Sequence, residues 1–461
     1  MAANNYGARS AVLTPVLPRQ PQRYAATESQ SNPAVAVGVP ILLFWIFIFF
    51  SRILDVTFWY LKLPIIAYIL TATATLVSGN FMRIFQTRIG KFISLYTLWI
   101  CLSAPFGIWR TGSLPSINSA VTALVLSAAI VGLISTPRQL LKILYTLALS
   151  SLTAAILSYF FGLVKDGRLQ LYQGTLKDPN EFAMILLMGV PFWIMIIHRS
   201  NKLLKFVGLL ALLPILHAFV LAGSRGGLVG AGMLLLFLFF QGSLAQRVAF
   251  AMAGIVLVVT ASLTLPQYLR ERYFTLFQAE EVAGLEDAIV ADANSALARR
   301  DLLVSSLLMT LKHPLLGVGP GNFADAYFNE GKEQGIRRSW NVSHNSYTQV
   351  SSEIGIPGFL FFVTSLFFCF RALRNIRKLR KANVYIPPDL LIAVQYTRLS
   401  MVVVCTCAAF LSMAYDPIFY VFAGICAVAE RLTSSYVGQH LPRPAPVMRP
   451  PMMPLPVSQR S

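Results

Sequence analysis

His344 is the residue of this sequence best suited to acid–base chemistry. It is one of five histidines, and it lies in the polar motif Ser343-His344-Asn345-Ser346-Tyr347, where a helix is predicted to begin with Ser343 as its cap. The positive end of a helix dipole disfavours an imidazolium, so a histidine at this place tends to stay neutral. A neutral imidazole is the form that a general base needs. The alternative is a surface histidine at the end of a loop.

Two arginines have settings that suit a phosphate, which a guanidinium binds through paired hydrogen bonds. Arg225 lies in the turn Gly223-Ser224-Arg225-Gly226-Gly227, whose glycines allow a ligand to approach the backbone closely. Arg338 belongs to a basic pair shortly before His344. The alternatives are an arginine that extends to the membrane interface at Arg225 and a solvated pair at Arg337-Arg338.

A third arginine, Arg300, falls within a predicted helical stripe that contains Leu303, Leu307 and Leu311. An arginine on a packed face needs an anionic partner. That partner is either a substrate phosphate or a nearby acid such as Asp301. Arg299 stands directly beside Arg300, so the functional position is either of the two.

Two aspartates show the pattern of a helix start and also belong to the candidate set as supporting residues. Asp178-Pro179-Asn180-Glu181 places an N-cap, a proline and an acid in the expected order, and Asp416-Pro417 repeats it. Capping is the simpler interpretation for both. Glu353 follows His344 by nine residues and would lie on the opposite side of a continuous helix. We therefore interpret Glu353 as structural.

The elements that must position these residues are membrane helices. Hydrophobic residues make up 56% of the chain and charged residues 12%, whereas soluble domains have about 25% charged residues. Apolar runs of membrane-spanning length recur and predict an all-α polytopic membrane protein with about twelve transmembrane helices. The net charge of +19 lies mainly in connectors and tails, a pattern that suits contact with membrane lipids and excludes a nucleic-acid protein. The five cysteines show no metal-ligand spacing.

One polar segment interrupts the apolar runs. Ten of the nineteen acids lie within 271–333, so we expect a large, partly helical loop there. Basic connectors alternate with less basic ones, which places both termini in the cytoplasm and the loop on the periplasmic side. The predicted organisation is a disordered tail at 1–33, spans one to nine in 34–265, the loop at 266–343, spans ten to twelve in 344–431 and a Pro-rich disordered tail at 432–461.

Several motifs together resemble the O-antigen ligase and O-antigen polymerase superfamily of bacterial inner-membrane glycosyltransferases. They are Ser224-Arg225-Gly226-Gly227, the segment His-Pro-Leu-Leu-Gly-Val-Gly-Pro-Gly-Asn-Phe that begins at His313, the motif around His344, and Glu-Ile-Gly-Ile-Pro-Gly from Glu353. The resemblance is clearest over 174–360. It matches His344 to the loop histidine of the family and Arg225 and Arg300 to its arginines. By position alone, it matches Asp416 to an outer acid.

The resemblance implies a donor glycan on undecaprenyl diphosphate. Because a diphosphate leaving group needs charge neutralisation and not an acid catalyst, we hypothesise an inverting transfer without a metal or other cofactor. Its acceptor is lipid A–core for a ligase or another lipid-linked glycan for a polymerase; a related branch glycosylates protein hydroxyls. In this interpretation His344 is the base, and Arg225, Arg300 and Arg338 bind the diphosphate. A rival class is a transporter of lipid-linked glycans, but transporters usually carry ionisable residues near the middle of the membrane. Here the polar residues cluster outside the spans.

Overall fold

The computed structural model describes residues 32–165, 167–172, 174–242 and 287–440, together with positions 244, 247, 248, 252 and 267. Almost all of the predicted N-terminal tail lies outside the described residues. So do nearly the whole predicted ninth span, the first part of the long loop and the chain after 440. The predictions for those segments therefore stay predictions.

The described chain is mostly helical. Its helices are α1 (Pro33–Ser51), α2 (Ile53–Thr57), α3 (Leu63–Val77), α4 (Arg88–Ser103), α5 (Leu114–Leu133), α6 (Pro137–Phe161), α7 (Pro179–Arg199), α8 (Lys202–Leu221), α9 (Arg225–Gln241), α10 (Asp287–Lys312), α11 (Phe323–Glu333), α12 (Ser346–Lys381), α13 (Pro388–Ala408) and α14 (Pro417–His440). Between α6 and α7, strands β1 (Gly162–Lys165) and β2 (Arg168–Leu171) pair as an antiparallel hairpin.

Nine helices in the described part of the chain are long and apolar enough to cross a membrane, and α3 and α9 are shorter apolar helices. This confirms the predicted helical, multi-pass membrane class. The count of twelve spans stays a prediction. The loop helices α10 and α11 are not among these apolar helices, which agrees with a partly helical polar loop.

Successive helices run between two ends of the molecule. At one end the His344 N–H donates to Ser412 Oγ at 2.8 Å, and the Ile108 N–H donates to the Val318 carbonyl at 2.9 Å. We call this the histidine end. At the other end Arg199 pairs with Asp389 at 2.9 Å. We call that the basic end, because most connectors there carry the Lys and Arg runs. Both α1 and α14 have their outer termini at the basic end.

The helix α14 lies at the centre of the fold, where it packs against α5, α4 and α12. Two tyrosines anchor this packing: the Tyr96 O–H donates to the Ala414 carbonyl at 2.9 Å, and Tyr420 shares a 3.0 Å hydrogen bond with Thr97. By contrast, α8 is the least enclosed of the candidate spans. The residues around the start of α14 are therefore enclosed by neighbouring helices.

The helix α12 is not continuous, which changes the geometry expected from the sequence. Gly355 has φ 73° and ψ −178°, a conformation that glycine alone adopts readily, and splits the helix into 346–354 and 356–381. The loop enters this break: Val318 N–H donates to the Ser352 carbonyl at 2.9 Å and Ile356 N–H to the Pro314 carbonyl at 2.7 Å. A Cβ on Gly355 would lie 2.2 Å from the Leu315 carbonyl oxygen. The break is what lets the loop dock against the membrane bundle.

Candidate functional site

His344 is held in place through its backbone. Its φ is 51°, which is uncommon for a residue other than glycine. Ser412, in the connection between α13 and α14, accepts the His344 N–H at 2.8 Å and shares a 3.2 Å hydrogen bond with Ser343. The cap of α12 is Asn345, whose side chain accepts the Tyr347 N–H at 3.0 Å. The prediction that Ser343 is the cap was therefore wrong, since Ser343 instead joins His344 to Ser412.

The pKa of His344 lies below its ordinary value of 6.5. Burial of the half-exposed ring is the main cause, the charge of Arg299 adds to it, and the carboxylate of Asp178 opposes it. The imidazole is therefore neutral at neutral pH, the state in which it accepts a proton. Arg299, on α10, and Asp178, at the start of α7, therefore both contribute to the electrostatic surroundings of His344.

Of the two neighbouring arginines on α10, Arg299 is the more enclosed. The leucine stripe predicted to be packed is exposed: Leu303, Leu307 and Leu311 are 38%, 49% and 74% exposed. The packed face instead contains Leu302, Ser306 and Met309, and Arg299 precedes Leu302 by one helical turn. Arg299 is half-buried, whereas Arg300 is exposed. In a membrane protein an apolar stripe does not tell which face contacts protein, so the sequence alone left this choice open.

Asp178 caps α7 and also contributes to the electrostatic surroundings of His344. As the N-cap of α7 it accepts the Asn180 N–H at 2.6 Å, and its charge acts on His344. Asn180 connects the start of α7 to β2 and to the cap of α9, because its side-chain oxygen Oδ1 accepts hydrogen bonds from Arg168 at 2.7 Å and from Ser224 at 3.0 Å. Arg168, on β2, also donates to the Ala222 carbonyl at 3.0 Å. The hairpin thus locks the start of α7 to the turn that carries Arg225.

Arg225 is the first residue of α9 and is only 9% exposed. Ser224 caps the helix by accepting the Gly227 N–H at 3.0 Å. A Cβ on the next residue, Gly226, would lie 2.7 Å from Phe410. Arg225 therefore lies next to the same α13–α14 connection that positions His344 through Ser412. The structure brings it to the histidine end, as the sequence predicted.

Arg52, at the end of α1, is a charged residue of this end that the sequence analysis missed. It pairs with Asp55 at 3.0 Å and lies 4.4 Å over the ring of Phe49. Its charge acts on Glu181 and on Asp416. A single arginine directly after the first span, three residues before an acid, was the signal that could have identified it.

Asp416 caps α14, since its side chain accepts the Ile418 N–H at 2.8 Å. Burial raises the pKa of Asp416, while that hydrogen bond and the charge of Arg52 oppose the shift. Glu181 interacts electrostatically with Asp416 and with Asp178. The ionisable groups that interact electrostatically thus follow one another from Arg52 and Asp416 through Glu181 and Asp178 to the histidine and Arg299.

Arg338 lies in a different cluster. It pairs with Glu330 at 3.1 Å and stands 4.5 Å from the centre of the Tyr327 ring, and Glu330 also binds Lys312. Because its side chain is only 12% exposed and already paired, Arg338 holds the extended segment before His344 against α11. The direct phosphate contact that the sequence suggested for Arg338 stays a prediction, because the contacts of Arg338 are with Glu330 and Tyr327.

Glu353 connects the loop to the bundle, which fits the structural role expected from the sequence. Its buried carboxyl accepts the Gly321 N–H at 2.7 Å, the Tyr415 O–H at 2.7 Å and the Phe323 N–H at 3.4 Å. The Gly-rich turn that contains Gly321 therefore wraps a side chain of the protein itself. In the part of the chain that the structure describes, no group of three or more His, Cys, Asp or Glu residues has a geometry that could hold a metal ion.

Residues 210–363 match a family model described as O-antigen ligase. The matched region contains Arg225, Arg299 and His344, while Asp178 and Asp416 lie outside it. A search of curated proteins found no match. The resemblance to the O-antigen ligase superfamily is thus confirmed by the family model over this part of the chain.

Proposed function

We propose that this protein transfers a glycan from an undecaprenyl-diphosphate carrier to an acceptor hydroxyl at the periplasmic face of the bacterial inner membrane. The observation that carries the proposal is His344, whose pKa is lowered by burial and by the charge of Arg299, within the region that matches the O-antigen ligase family. A neutral base with a positive charge in its surroundings is what this transfer needs from a protein.

The orientation follows from charge. Most of the connectors at the basic end carry Lys and Arg, and such connectors are retained in the cytoplasm. The histidine end then faces the periplasm, and both termini lie on the cytoplasmic side. Lipid-linked glycans are used on the periplasmic side by the superfamily that this chain resembles, so the proposed orientation and the proposed substrate agree.

In the proposed step His344 removes the proton from the acceptor hydroxyl as the acceptor oxygen attacks the anomeric carbon of the donor. The new carbon–oxygen bond forms opposite the bond to the diphosphate, which breaks and takes its electron pair with it, so the configuration inverts. The diphosphate is a good leaving group, and it needs charge neutralisation more than a proton donor. Arg299 and Arg225 supply that charge, and Arg52 lies on the same side of the membrane.

Asp178 acts on the histidine during this step. Its carboxylate favours the protonated imidazole, so it stabilises the imidazolium that forms when His344 takes up the proton. Arg299 has the opposite effect on His344 before the reaction and keeps the resting ring neutral. The two charges thus support a base that is unprotonated at rest and tolerates a proton in the transition state.

A ligase that uses lipid A–core as acceptor is the form we favour, because the matching family model is described as O-antigen ligase. A polymerase of O-antigen or exopolysaccharide would use the same chemistry with a lipid-linked acceptor. The position of the charged residues argues against a transporter of lipid-linked glycans, because these residues lie at the two ends of the described helices and in the loop.

The test is deletion of the gene, with lipopolysaccharide and secreted polysaccharide analysed side by side. A ligase predicts loss of the whole O-antigen ladder, intact lipid A–core and accumulated long lipid-linked chains, all restored by the wild-type gene. A core that carries a single repeat, or loss of exopolysaccharide alone, would mean a polymerase. If neither glycan changes, the proposal is wrong for both polysaccharides.

A further inference from the structure

The segment that leads into His344 carries an exposed tryptophan in a fixed orientation. Trp340 is 63% exposed. One face of its indole stacks on Phe328 of α11, with ring centroids 4.3 Å apart and planes 21° from parallel. The indole N–H donates to Asp325 Oδ1 at 3.1 Å. Both the tilt and the rotation of the ring are therefore set before any ligand arrives, and the side chain still presents aromatic surface to solvent.

The segment around Trp340 is itself held firmly. Arg338, two residues earlier, is paired with Glu330 and packed on Tyr327. An exposed aromatic side chain on a fixed backbone loses little conformational entropy when a ligand binds, which favours affinity. The fixed presentation of Trp340 points to a ligand.

The neighbouring side chains indicate the chemistry of that ligand. Arg337, Ser339 and Asn329 are exposed polar groups near the ring in sequence or on the same helix as Phe328. The hydrocarbon of a membrane excludes such charged and polar groups, so the surroundings argue against a lipid chain. Val342, which lies between Trp340 and His344 in the sequence, is also exposed, at 47%. Exposed aromatic and apolar side chains with polar neighbours suit a sugar ring, which has a face of C–H groups and a rim of hydroxyls.

The distance to the histidine fits a glycan that is already bound for transfer. His344 follows Trp340 by four positions, and a fully extended chain of that length spans at most about 14 Å. A sugar whose reacting atom lies at His344 would therefore place a neighbouring ring of the same chain near the indole. We propose that Trp340, supported by Phe328, is a glycan-binding subsite for a sugar beyond the reacting one.

This inference rests on the proposed transfer reaction, and it is tested with the full-length protein in proteoliposomes. The variants are Trp340→Ala and Trp340→Phe, with Trp109→Ala as the matched control, since Trp109 is a second exposed tryptophan of the same end. The donors are the lipid-linked glycan isolated from the host cells and a lipid-linked single sugar. Initial rates are measured against donor concentration and, separately, against acceptor concentration.

With the long glycan, we expect Trp340→Ala to raise KM about two- to tenfold, the effect of one aromatic contact, with kcat nearly unchanged because the indole touches no reacting atom. Trp340→Phe should retain most of the affinity, and Trp109→Ala all of it. A change in the donor titration would assign the subsite to the donor glycan, and a change in the acceptor titration to the acceptor.

Two results would overturn the subsite. The first is an unchanged KM for the long glycan in both titrations of Trp340→Ala. The second is an equal loss with the long glycan and with the single-sugar donor, which is too short to reach the indole; this would show a structural or membrane-anchoring role. Failure of the transfer proposal itself is separate, because it would appear as no transfer by the wild-type protein with either donor.

Discussion

Removal of the Glu353 carboxyl should detach the loop from the membrane bundle. In the structure this one buried group accepts hydrogen bonds from the Gly321 N–H, the Tyr415 O–H and the Phe323 N–H. Gly321 and Phe323 belong to the loop, whereas Tyr415 precedes α14. The substitution Glu353→Ala leaves these donors without an acceptor in a place that water does not reach.

The expected cost follows from the two short bonds, those from Gly321 and Tyr415, both 2.7 Å. A buried donor that loses its acceptor costs about 1–3 kcal/mol, so the pair costs about 2–6 kcal/mol. A folded domain has about 5–15 kcal/mol of stability in all. Glu353→Ala should therefore lower the thermal midpoint strongly and reduce transfer activity, because His344 directly precedes the half of the broken helix that carries Glu353.

Glu353→Gln separates hydrogen bonding from shape. The amide keeps one oxygen acceptor but turns an N–H group towards a donor, so its loss should be about half that of Glu353→Ala. Glu333→Gln is the matched control, because Glu333 is exposed at the end of α11. The assay is the thermal midpoint of the purified protein in detergent, together with limited proteolysis of the loop. A wild-type midpoint and wild-type cleavage rate for Glu353→Ala would refute the reasoning.

Three further predictions concern the base, its cation and the helix break. Because the pKa of His344 is lowered and the neutral ring is the active form, the acid limb of the pH profile of kcat/KM should lie below 6.5. Asp178→Asn, which keeps a good cap, should move this limb to lower pH, and Arg299→Gln should move it to higher pH. Shifts in the reverse directions would contradict the assignment. Arg299→Ala should reduce the transfer rate about 10²–10³-fold, whereas Arg300→Ala should stay near the wild type; the opposite order in the same assay would restore Arg300. Gly355→Ala should destabilise the protein by at least about 1–3 kcal/mol through its positive φ alone. A wild-type thermal midpoint would contradict the described packing of the loop into the break of α12.

Short local sequence motifs were sufficient to predict where several helices begin. The Asp-Pro pairs at Asp178 and Asp416 predicted caps, and the structure has both residues in that role. Apolar runs likewise predicted most of the membrane helices, since a bilayer demands long apolar segments regardless of their neighbours. The cap of α12 was misplaced by two residues, because Ser343 and Asn345 are both good caps and only the contact with Ser412 distinguishes them.

Features that depend on tertiary contacts were beyond the sequence. The choice of Arg299 over Arg300 depends on which face of α10 is packed, and lipid as well as protein can cover leucines. The break at Gly355 depends on a loop that supplies hydrogen bonds from about forty residues earlier in the chain. The charge pattern could have drawn attention to Arg52, but its interaction with Glu181 and Asp416 depends on the tertiary position of the end of α1.

The most direct test of the central claim is the rate of glycan transfer by a His344→Ala variant, purified in folded form and reconstituted with the lipid-linked donor and its acceptor. His313→Ala is the control, because His313 is an exposed histidine of the same loop. The account predicts a loss of about 10²–10⁴-fold for His344→Ala and a wild-type rate for His313→Ala. A His344→Ala rate within a few-fold of the wild type, at equal thermal midpoint, would contradict it.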